Sequence, residues 1–523
     1  MQPAKSESRQ FTYQTRLVLD SDQDCVLCEY AALMGRVERT LFADLMKGKT
    51  VGELKAPYLI KYGMTARQFN AVRTQVEGKI ASIKELRKGQ LQETKNRKKS
   101  LIDTIEKLEK KNGKAFQIHQ KRRRLAKIES KILSIENQIA TGKVTLCFGS
   151  RALFHSQFHL EANKFNSHQD WLKEWTASRN NSFFILGSKD ETAGNQTCTA
   201  TLQQDSALSL KLRLPNALSQ HGKYLQIQNV KFNYGHGAII GGLERCKERK
   251  LDKNAGVALS YRYKRDKKGW TVFVSLSIPE PSKATRDNIG VIGVDINANH
   301  LALVETDRFG NPVYKKIIPL NLCGKKQHQT KAMIQEAAVE IVNLSQKTKK
   351  PIVLEELSFQ DKKTALHEGN NKKYSRMLSS FAYSAIIASI KSRAWRFGVQ
   401  IKEVNPAYTS TIGRVKFAKR YGLSIHESAA LCIARRFLRV SERLPRHQEQ
   451  VPDGKGGHVT LPLPVRNRGK HVWSAWRVIR KKLSAALVAH FRAMRNRSSG
   501  QRQPASCDSE FSNFVGETQY ANR

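Results

Sequence analysis

The residues best suited to chemistry are two carboxylates that each end an apolar run. Asp295 lies in IGVIGVDINAN (289–299), and Glu355 lies in PIVLEEL (351–357). A buried, unpaired charge is costly, so each carboxylate should be paired, neutral, at a strand end or bound to a cation. If the two runs are neighbouring strands, both side chains face one space, where a hard cation such as Mg²⁺ would neutralise their repulsion.

Such an arrangement predicts phosphodiester hydrolysis. Two Mg²⁺ ions, about 3.5–4 Å apart, stabilise the attacking and the leaving oxygen of this reaction. The alternative for Asp295 alone is a strand-end carboxylate capped by backbone amides. Glu356 is expected to face away from the site, because adjacent residues of a strand point to opposite sides.

A third ligand is predicted from the helix SIHESAALCIARRFL (424–438). His426 lies in line with Ala430 and Ile433, so its face is expected to point at the core. Glu427 lies one step further round the helix, and either side chain can look toward the carboxylates. We therefore take His426 as a candidate metal ligand and both residues as catalytic candidates. The alternative for His426 is a core histidine whose hydrogen bonds are satisfied.

The elements that would position these residues begin at residue 290. VIGVDIN, HLALVETD and PVYKKIIPL predict an antiparallel meander of three strands. A helix around Ile334 and Ile341, the strand KKPIVLEEL, a helix ended by Gly398, the strand VQIKEV and the helix 425–438 follow. This is the order of the RNase H-like fold, in which the fourth strand lies parallel beside the first, so Asp295 and Glu355 would end neighbouring strands.

The first half of the chain predicts a β domain with a helical insertion. FTYQTRLVL (11–19) alternates as a strand does, and short strands with turn residues between them fill residues 143–290 as a small barrel or sandwich. Residues 23–85 look helical, and 92–140 predict a helical hairpin with an apolar seam. The outer face of this hairpin is basic. Its predicted contacts to a nucleic-acid backbone are Lys121, Arg122, Arg123 and Arg124, with a solvated charged face as the alternative.

Composition points to a polyanionic partner. The 523 residues include 91 Lys and Arg against 45 Asp and Glu, a formal net charge of +46, which a long nucleic acid would neutralise. Of the 8 cysteines only Cys25 and Cys28 form a CxxC, so no zinc site and a reducing cytoplasm are expected. The chain has neither a signal-peptide pattern nor an apolar run long enough for a membrane span. A cytoplasmic, nucleoid-associated protein without membrane contact is the prediction.

Three motifs carry a family resemblance. GVDIN (293–297), VLEEL (353–357) and NPAYTS…HESAA (405–430) resemble the three RuvC segments of TnpB, the transposon-encoded RNA-guided nucleases related to miniature type V CRISPR effectors. The resemblance implies a Mg²⁺-dependent DNA endonuclease with Asp295 and Glu355 as catalytic carboxylates. It also implies a guide RNA and a target DNA, held as an RNA–DNA heteroduplex in a basic channel.

The third segment departs from the family pattern. His426 stands where the family has the Asp of D-x-N-A-A, and residues 405–425 lack the cysteines of the family's zinc ribbon. A basic loop is expected there instead, with Arg414, Lys416, Lys419 and Arg420 as phosphate contacts. Two alternatives stay open: a nuclease-dead guided protein that acts by occupancy, and a RuvC-like nuclease that uses no guide.

The predicted fold class is therefore multidomain α+β. By the resemblance, the first strand of a β-barrel wedge domain (1–20) precedes an inserted helical recognition lobe (21–142), and the rest of the wedge domain follows (143–289). A RuvC-like α/β nuclease domain of RNase H-like fold (290–440), a basic extension (441–497) and a flexible tail (498–523) complete the chain.

Overall fold

The computed structural model describes residues 8–110, 115–248, 256–297, 299–322, 324–356, 383–440, 443–445, 448–467 and 469–498. Helices and sheets both contribute, so the protein is of the mixed α+β class, as predicted. The chain divides into two compact units, Met1–Pro279 and Glu280–Arg523. The tail predicted after residue 498 lies outside the described residues.

The first unit combines a helical segment with two antiparallel sheets. Its helices are α1 (Ser21–Met46), α2 (Val51–Lys61), α3 (Ala66–Lys110), α4 (Ala115–Ala140), α5 (Arg151–Ser156), α6 (His168–Arg179) and α7 (His236–Glu248). Its strands are β1 (Ser8–Arg16), β2 (Ser182–Ile185), β3 (Cys198–Leu202), β4 (Leu208–Arg213), β5 (Tyr224–Val230), β6 (Ser260–Asp266) and β7 (Gly269–Pro279). The strand orders are β1-β7-β6-β2 and β3-β4-β5.

The first strand pairs with a strand from the far end of this unit. β1 is antiparallel to β7 along its whole length, so α1 to α4 are inserted after the first strand of the sheet, as the sequence predicts. The prediction of strands throughout 143–290 is wrong in part, because α5, α6 and α7 lie in that range. Trp171 and Trp175, four residues apart, are the buried residues of α6 and lie on one face of this helix.

The helical hairpin predicted at 92–140 is formed by α3 and α4. Leu101 and Ile105 of α3 and Ile132 and Ile135 of α4 are the buried members of its seam. Ion pairs also cross between the helices, among them Lys95 with Glu136 at 2.8 Å and Lys98 with Glu129 at 2.9 Å.

The second unit is built on a five-stranded sheet in the order β10-β9-β8-β11-β12. The strands of this unit are β8 (Ile292–Ile296), β9 (His300–Thr306), β10 (Pro312–Pro319), β11 (Ile352–Glu355), β12 (Ile401–Val404), β13 (Glu449–Pro452) and β14 (His458–Leu461). Its helices are α8 (Gln327–Thr348), α9 (Tyr383–Arg396), α10 (Thr409–Ile412), α11 (Lys419–Tyr421), α12 (Ile425–Phe437) and α13 (Val472–Ser498), with a π-helical turn, Gly413–Ala418, between α10 and α11.

The predicted meander is confirmed. β8, β9 and β10 pair antiparallel in sequence, while β11 lies parallel to β8 on one side and to β12 on the other. The fourth strand therefore lies beside the first, which is the strand order predicted for an RNase H-like domain.

The two faces of β8 pack against different helices. Ile292, Val294 and Ile296 belong to the core that includes residues of α8 and α9. Gly293 faces the other way, against α12, where a Cβ atom would lie 2.1 Å from the carbonyl oxygen of Ala430. Asp295 shares this second face, because alternate residues of a strand point to the same side.

Helix α12 is held from its other side as well. Gly413 of the π-helical turn approaches it so closely that a Cβ would lie 2.4 Å from the Ser428 carbonyl oxygen. One buried cluster joins these elements: it contains Leu431 of α12, Phe417 of the π-helical turn and Trp476 of α13. Among the helices that the structure describes, none has both the length and the hydrophobicity needed to cross a bilayer.

Replacing Gly293 with alanine should loosen this packing. The added methyl group has no room against the α12 backbone, so we expect Gly293→Ala to lower the free energy of unfolding by about 1–3 kcal/mol. Urea unfolding, with hydrogen exchange followed in β8 and α12 peptides, measures the effect. Gly241→Ala is the control, because a Cβ on that helical glycine meets no atom within 4 Å. Equal stability of both variants would show that α12 can shift without cost.

Candidate active site

The two carboxylates lie on one face of the sheet. β8 and β11 pair in the register Ile292↔Ile352 and Gly293↔Val353, and the same register continued by two residues aligns Asp295 with Glu355. Val353 packs with Ala434 of α12, which shows that Val353, and Glu355 two residues later, face α12. The carboxyl ends of two adjacent parallel strands thus direct both side chains toward the beginning of α12.

Asp295 is buried but has polar neighbours. Its exposure is only 7%. The Asn297 side-chain amide donates a hydrogen bond to Asp295 Oδ2 at 2.9 Å, and Nδ1 of His426 lies 3.4 Å from the same oxygen. Asn297 is a residue that the sequence reasoning missed, although its position two residues after Asp295 places both on one face of the chain.

His426 is oriented differently from the prediction. Its side chain is 45% exposed rather than turned into the core. Its ring meets that of His300 edge to face, with 4.5 Å between the ring centroids. Burial lowers the pKa of His300, a positively charged His426 would lower it further, and Asp295 opposes both effects. His300 is therefore a neutral imidazole at neutral pH, and its Nδ1 lies 2.6 Å from Asn299 Oδ1.

Glu427, not His426, is the buried member of the pair. The Ser424 backbone N–H donates to Glu427 Oε2 at 2.8 Å, and the Glu427 N–H donates to Ser424 Oγ at 3.2 Å. This reciprocal capping box draws the carboxylate back over the first turn of α12. Lys315 Nζ lies 3.7 Å from Glu427 Oε2. The contacts of Glu427 are therefore those of a helix cap. The pattern Ser-x-x-Glu at 424–427 is the sequence signature of such a capping box.

Glu355 receives a hydrogen bond from a residue outside the predicted site. The Thr409 hydroxyl donates to Glu355 Oε1 at 2.5 Å. Thr409 lies in the NPAYTS motif, but the sequence gave no reason to select it. Glu356, as expected, is exposed at the end of the strand.

The donor set agrees chemically with Mg²⁺. Carboxylate oxygens are the ligands this ion prefers, and it is commonly held by one or two carboxylates with water and substrate phosphate completing the shell. Within the described ranges, no three His, Cys, Asp or Glu side chains converge so that they could hold a metal ion. Asp295 and Glu355 therefore fit an ion that takes its remaining ligands from substrate and water, and His426 lies next to Asp295 as a further donor.

The basic residues predicted on the hairpin lie on the outer surface of α4. Arg122, Arg123 and Arg124 are exposed and Lys121 is half-buried. Arg122 forms an ion pair with Glu109 at 2.8 Å. Contact of this surface with a nucleic-acid backbone stays a prediction.

The basic loop predicted at 414–420 is helical instead. Arg414 is buried, and its Nε donates to the Pro452 carbonyl at 2.8 Å. Contact of its guanidinium group with phosphate stays a prediction. Lys416 Nζ donates to the Arg443 carbonyl at 2.7 Å, and Lys419 Nζ donates to Gln450 Oε1 at 2.5 Å. Arg420 is exposed beside the Tyr421 ring. Buried Val415 and Phe417 alternate with these polar groups and draw the segment into the core.

No family model matches the chain. No curated protein matches it either. Among solved structures, T. thermophilus RuvC in complex with a Holliday junction substrate is 13% identical, with 28% of this chain and 90% of that chain covered and a TM-score of 0.21. A Cas12f1–sgRNA–target DNA complex is 14% identical over 68% of this chain and 95% of that one, at a TM-score of 0.21.

A Cas12i1 R-loop complex is 8% identical, with 69% of this chain and 61% of that one covered, at a TM-score of 0.33. Scores this low do not establish a common fold over the aligned lengths. The assignment of the site therefore rests on the strand order and side-chain contacts of the chain itself.

The capping role of Glu427 predicts different stabilities for two variants of this residue. Glu427→Gln keeps an acceptor for the Ser424 N–H and should retain both stability and activity, whereas Glu427→Ala should lose about 0.5–2 kcal/mol of stability. Urea unfolding measures the stability of both variants, and a DNA-cleavage assay tests the activity that the sequence motifs predict. A Gln variant that folds normally but is inactive would show that the carboxylate itself takes part in catalysis.

Proposed function

We propose that the chain is an RNA-guided DNA endonuclease with a RuvC-like site at the carboxyl ends of β8 and β11. The observation that carries the proposal is the placement of Asp295 and Glu355 on one sheet face, at the ends of adjacent parallel strands, with His426 3.4 Å from Asp295. The GVDIN, VLEEL and NPAYTS…HESAA motifs, which resemble those of TnpB, supply the same three side chains.

Each residue has a distinct part in this proposal. Asp295 and Glu355 would hold Mg²⁺ in a two-metal site, and His426, partly exposed beside Asp295, would be the third protein donor. Bound Mg²⁺ would polarise the phosphate and lower the pKa of a bound water. Asn297 fixes the Asp295 carboxylate by its hydrogen bond, so that the oxygen facing His426 keeps one orientation.

The proposed partners are a guide RNA and a target DNA. A net charge of +46 is suited to a long polyanion, and the exposed arginines of α4 offer phosphate contacts that do not depend on sequence. In this proposal base pairing with the guide selects the target, and the protein reads the shape of the heteroduplex. The sheets of the first unit are the wedge domain, and α1 to α4 are the recognition lobe.

A guided protein that binds without cutting is the second candidate. One observation favours it: His426 occupies the position where the resembled family has Asp. Such a protein would act by occupying its target.

One experiment separates these functions. The protein is expressed with its flanking genomic DNA, co-purifying RNA is sequenced, and the complex is tested with Mg²⁺ on plasmids with randomised flanks. A discrete RNA with cut plasmids supports the endonuclease. A discrete RNA with binding alone supports the second candidate, and cutting without any RNA would contradict both.

Loss of either carboxylate should abolish cleavage. We expect Asp295→Ala and Glu355→Ala to reduce the cleavage rate by more than about a hundredfold, since even the residues that support metal ligands are worth 10–100-fold. RNA binding should persist, because the proposed phosphate contacts lie elsewhere. Glu356→Ala is the matched control, because it removes an adjacent carboxylate that is exposed. Wild-type cleavage by both site variants would refute the assignment of the site.

A further inference from the structure

The carboxylate of Glu355 meets a hydroxyl that comes from the far side of a tight turn. β11 and β12 run parallel, with Glu355 opposite Val404. The chain then turns through residues 405–408, and Thr409 returns to donate its hydroxyl hydrogen to Glu355 Oε1 at 2.5 Å. A hydroxyl–carboxylate hydrogen bond of this length is in the charge-assisted range, which is stronger than a bond between neutral groups.

The turn that carries Thr409 is tightly constrained. Asn405 Oδ1 accepts the Ala407 N–H at 2.8 Å, and the ring of Pro406 restricts the backbone between them. The Asn405 carbonyl accepts a hydrogen bond from Arg436 of α12. Thr409 itself is only 2% exposed. Its position relative to the end of β11 is therefore set by the fold rather than by a flexible loop.

The residue before Thr409 is in a strained conformation. Tyr408 has φ 60° and ψ 12°, which lies in the left-handed region that non-glycine residues rarely adopt. Residues in this region cost free energy and persist where the surrounding structure holds them. Here the Tyr408 carbonyl accepts the Ile412 N–H at 2.8 Å and starts α10, so the left-handed turn points the Thr409 side chain back at β11.

We propose that Thr409 is a positioning residue for Glu355: its buried hydroxyl, presented by the left-handed turn at Tyr408, fixes the carboxylate for binding a divalent cation. The inference rests on the proposed function, because it assigns Glu355 to the metal site. Thr409 does not touch the cation. Its single hydroxyl hydrogen has a second acceptor, the Pro406 carbonyl at 3.0 Å, but the shorter contact is to Glu355.

A pair of variants isolates the hydroxyl group. Thr409→Val keeps the size and branching of the side chain but removes the donor, whereas Thr409→Ser keeps the donor. The probe is Mn²⁺ binding to the full-length protein, followed by electron paramagnetic resonance, with Asp295→Ala/Glu355→Ala as the baseline. Thr409→Val should weaken Mn²⁺ binding about 10–100-fold, while Thr409→Ser should bind nearly as the wild type does. Thermal melting shows whether both variants are folded.

The outcomes judge the inference separately from the proposed function. Equal Mn²⁺ binding by the Val variant and the wild type, equal weakening in both variants, or no wild-type binding above the baseline would each overturn the role of Thr409. Weakening that Ser rescues supports that role, even if the wild type never cuts DNA and the endonuclease proposal fails. In a protein that does cut, the cleavage rate at saturating DNA should fall in the Val variant with KM unchanged.

Discussion

The close approach of α12 to β8 at Gly293 is the contact on which the site depends. Asp295 lies two residues beyond Gly293, about 6.6 Å along the strand. His426 lies one turn before Ala430, about 6 Å along the helix. Because these two distances match, the contact between the Gly293 backbone and Ala430 brings Asp295 and His426 side by side. A side chain at position 293 would separate the helix from the sheet and enlarge the gap between the two functional groups.

This contact also explains how a carboxylate is tolerated at the end of so apolar a strand. Asp295 has the Asn297 amide as a donor and the His426 ring as a neighbour. The N-terminus of α12 begins at Ile425, and the partial positive charge of a helix start favours nearby anions. These groups stabilise one negative charge. A second negative charge, on Glu355, accepts a hydrogen bond from the Thr409 hydroxyl. Because two nearby carboxylates repel each other, together they still favour a bound cation.

The sequence predicted the elements of the second unit well, because their signals are local. The apolar runs at 291–297 and 351–356 contain strands β8 and β11. Because a three-strand meander comes first, the RNase H-like order predicts that the fourth strand lies parallel beside the first, as it does. The apolar stripe of α12 predicted that His426 faces the core, but Glu427 is the buried residue. Its capping box with Ser424 holds the Glu427 side chain over the first helical turn, which the apolar stripe does not predict. The hydrogen bond from Arg414 to the Pro452 carbonyl could not be predicted, because a count of charges does not show which arginine will donate to the backbone.

One short segment of chain connects Thr409, which contacts Glu355, with His426, which lies beside Asp295. Residues 409–421 begin with the hydroxyl that holds Glu355 and lead to α12, which carries His426. In this chain Val415 and Phe417 are buried, and burial of such side chains stabilises by about 1.5–3 kcal/mol each. Hydrophobic packing therefore holds this segment in place. Because that packing acts on both ends of the segment, a loss of core volume beneath Phe417 would disturb Glu355 and Asp295 together.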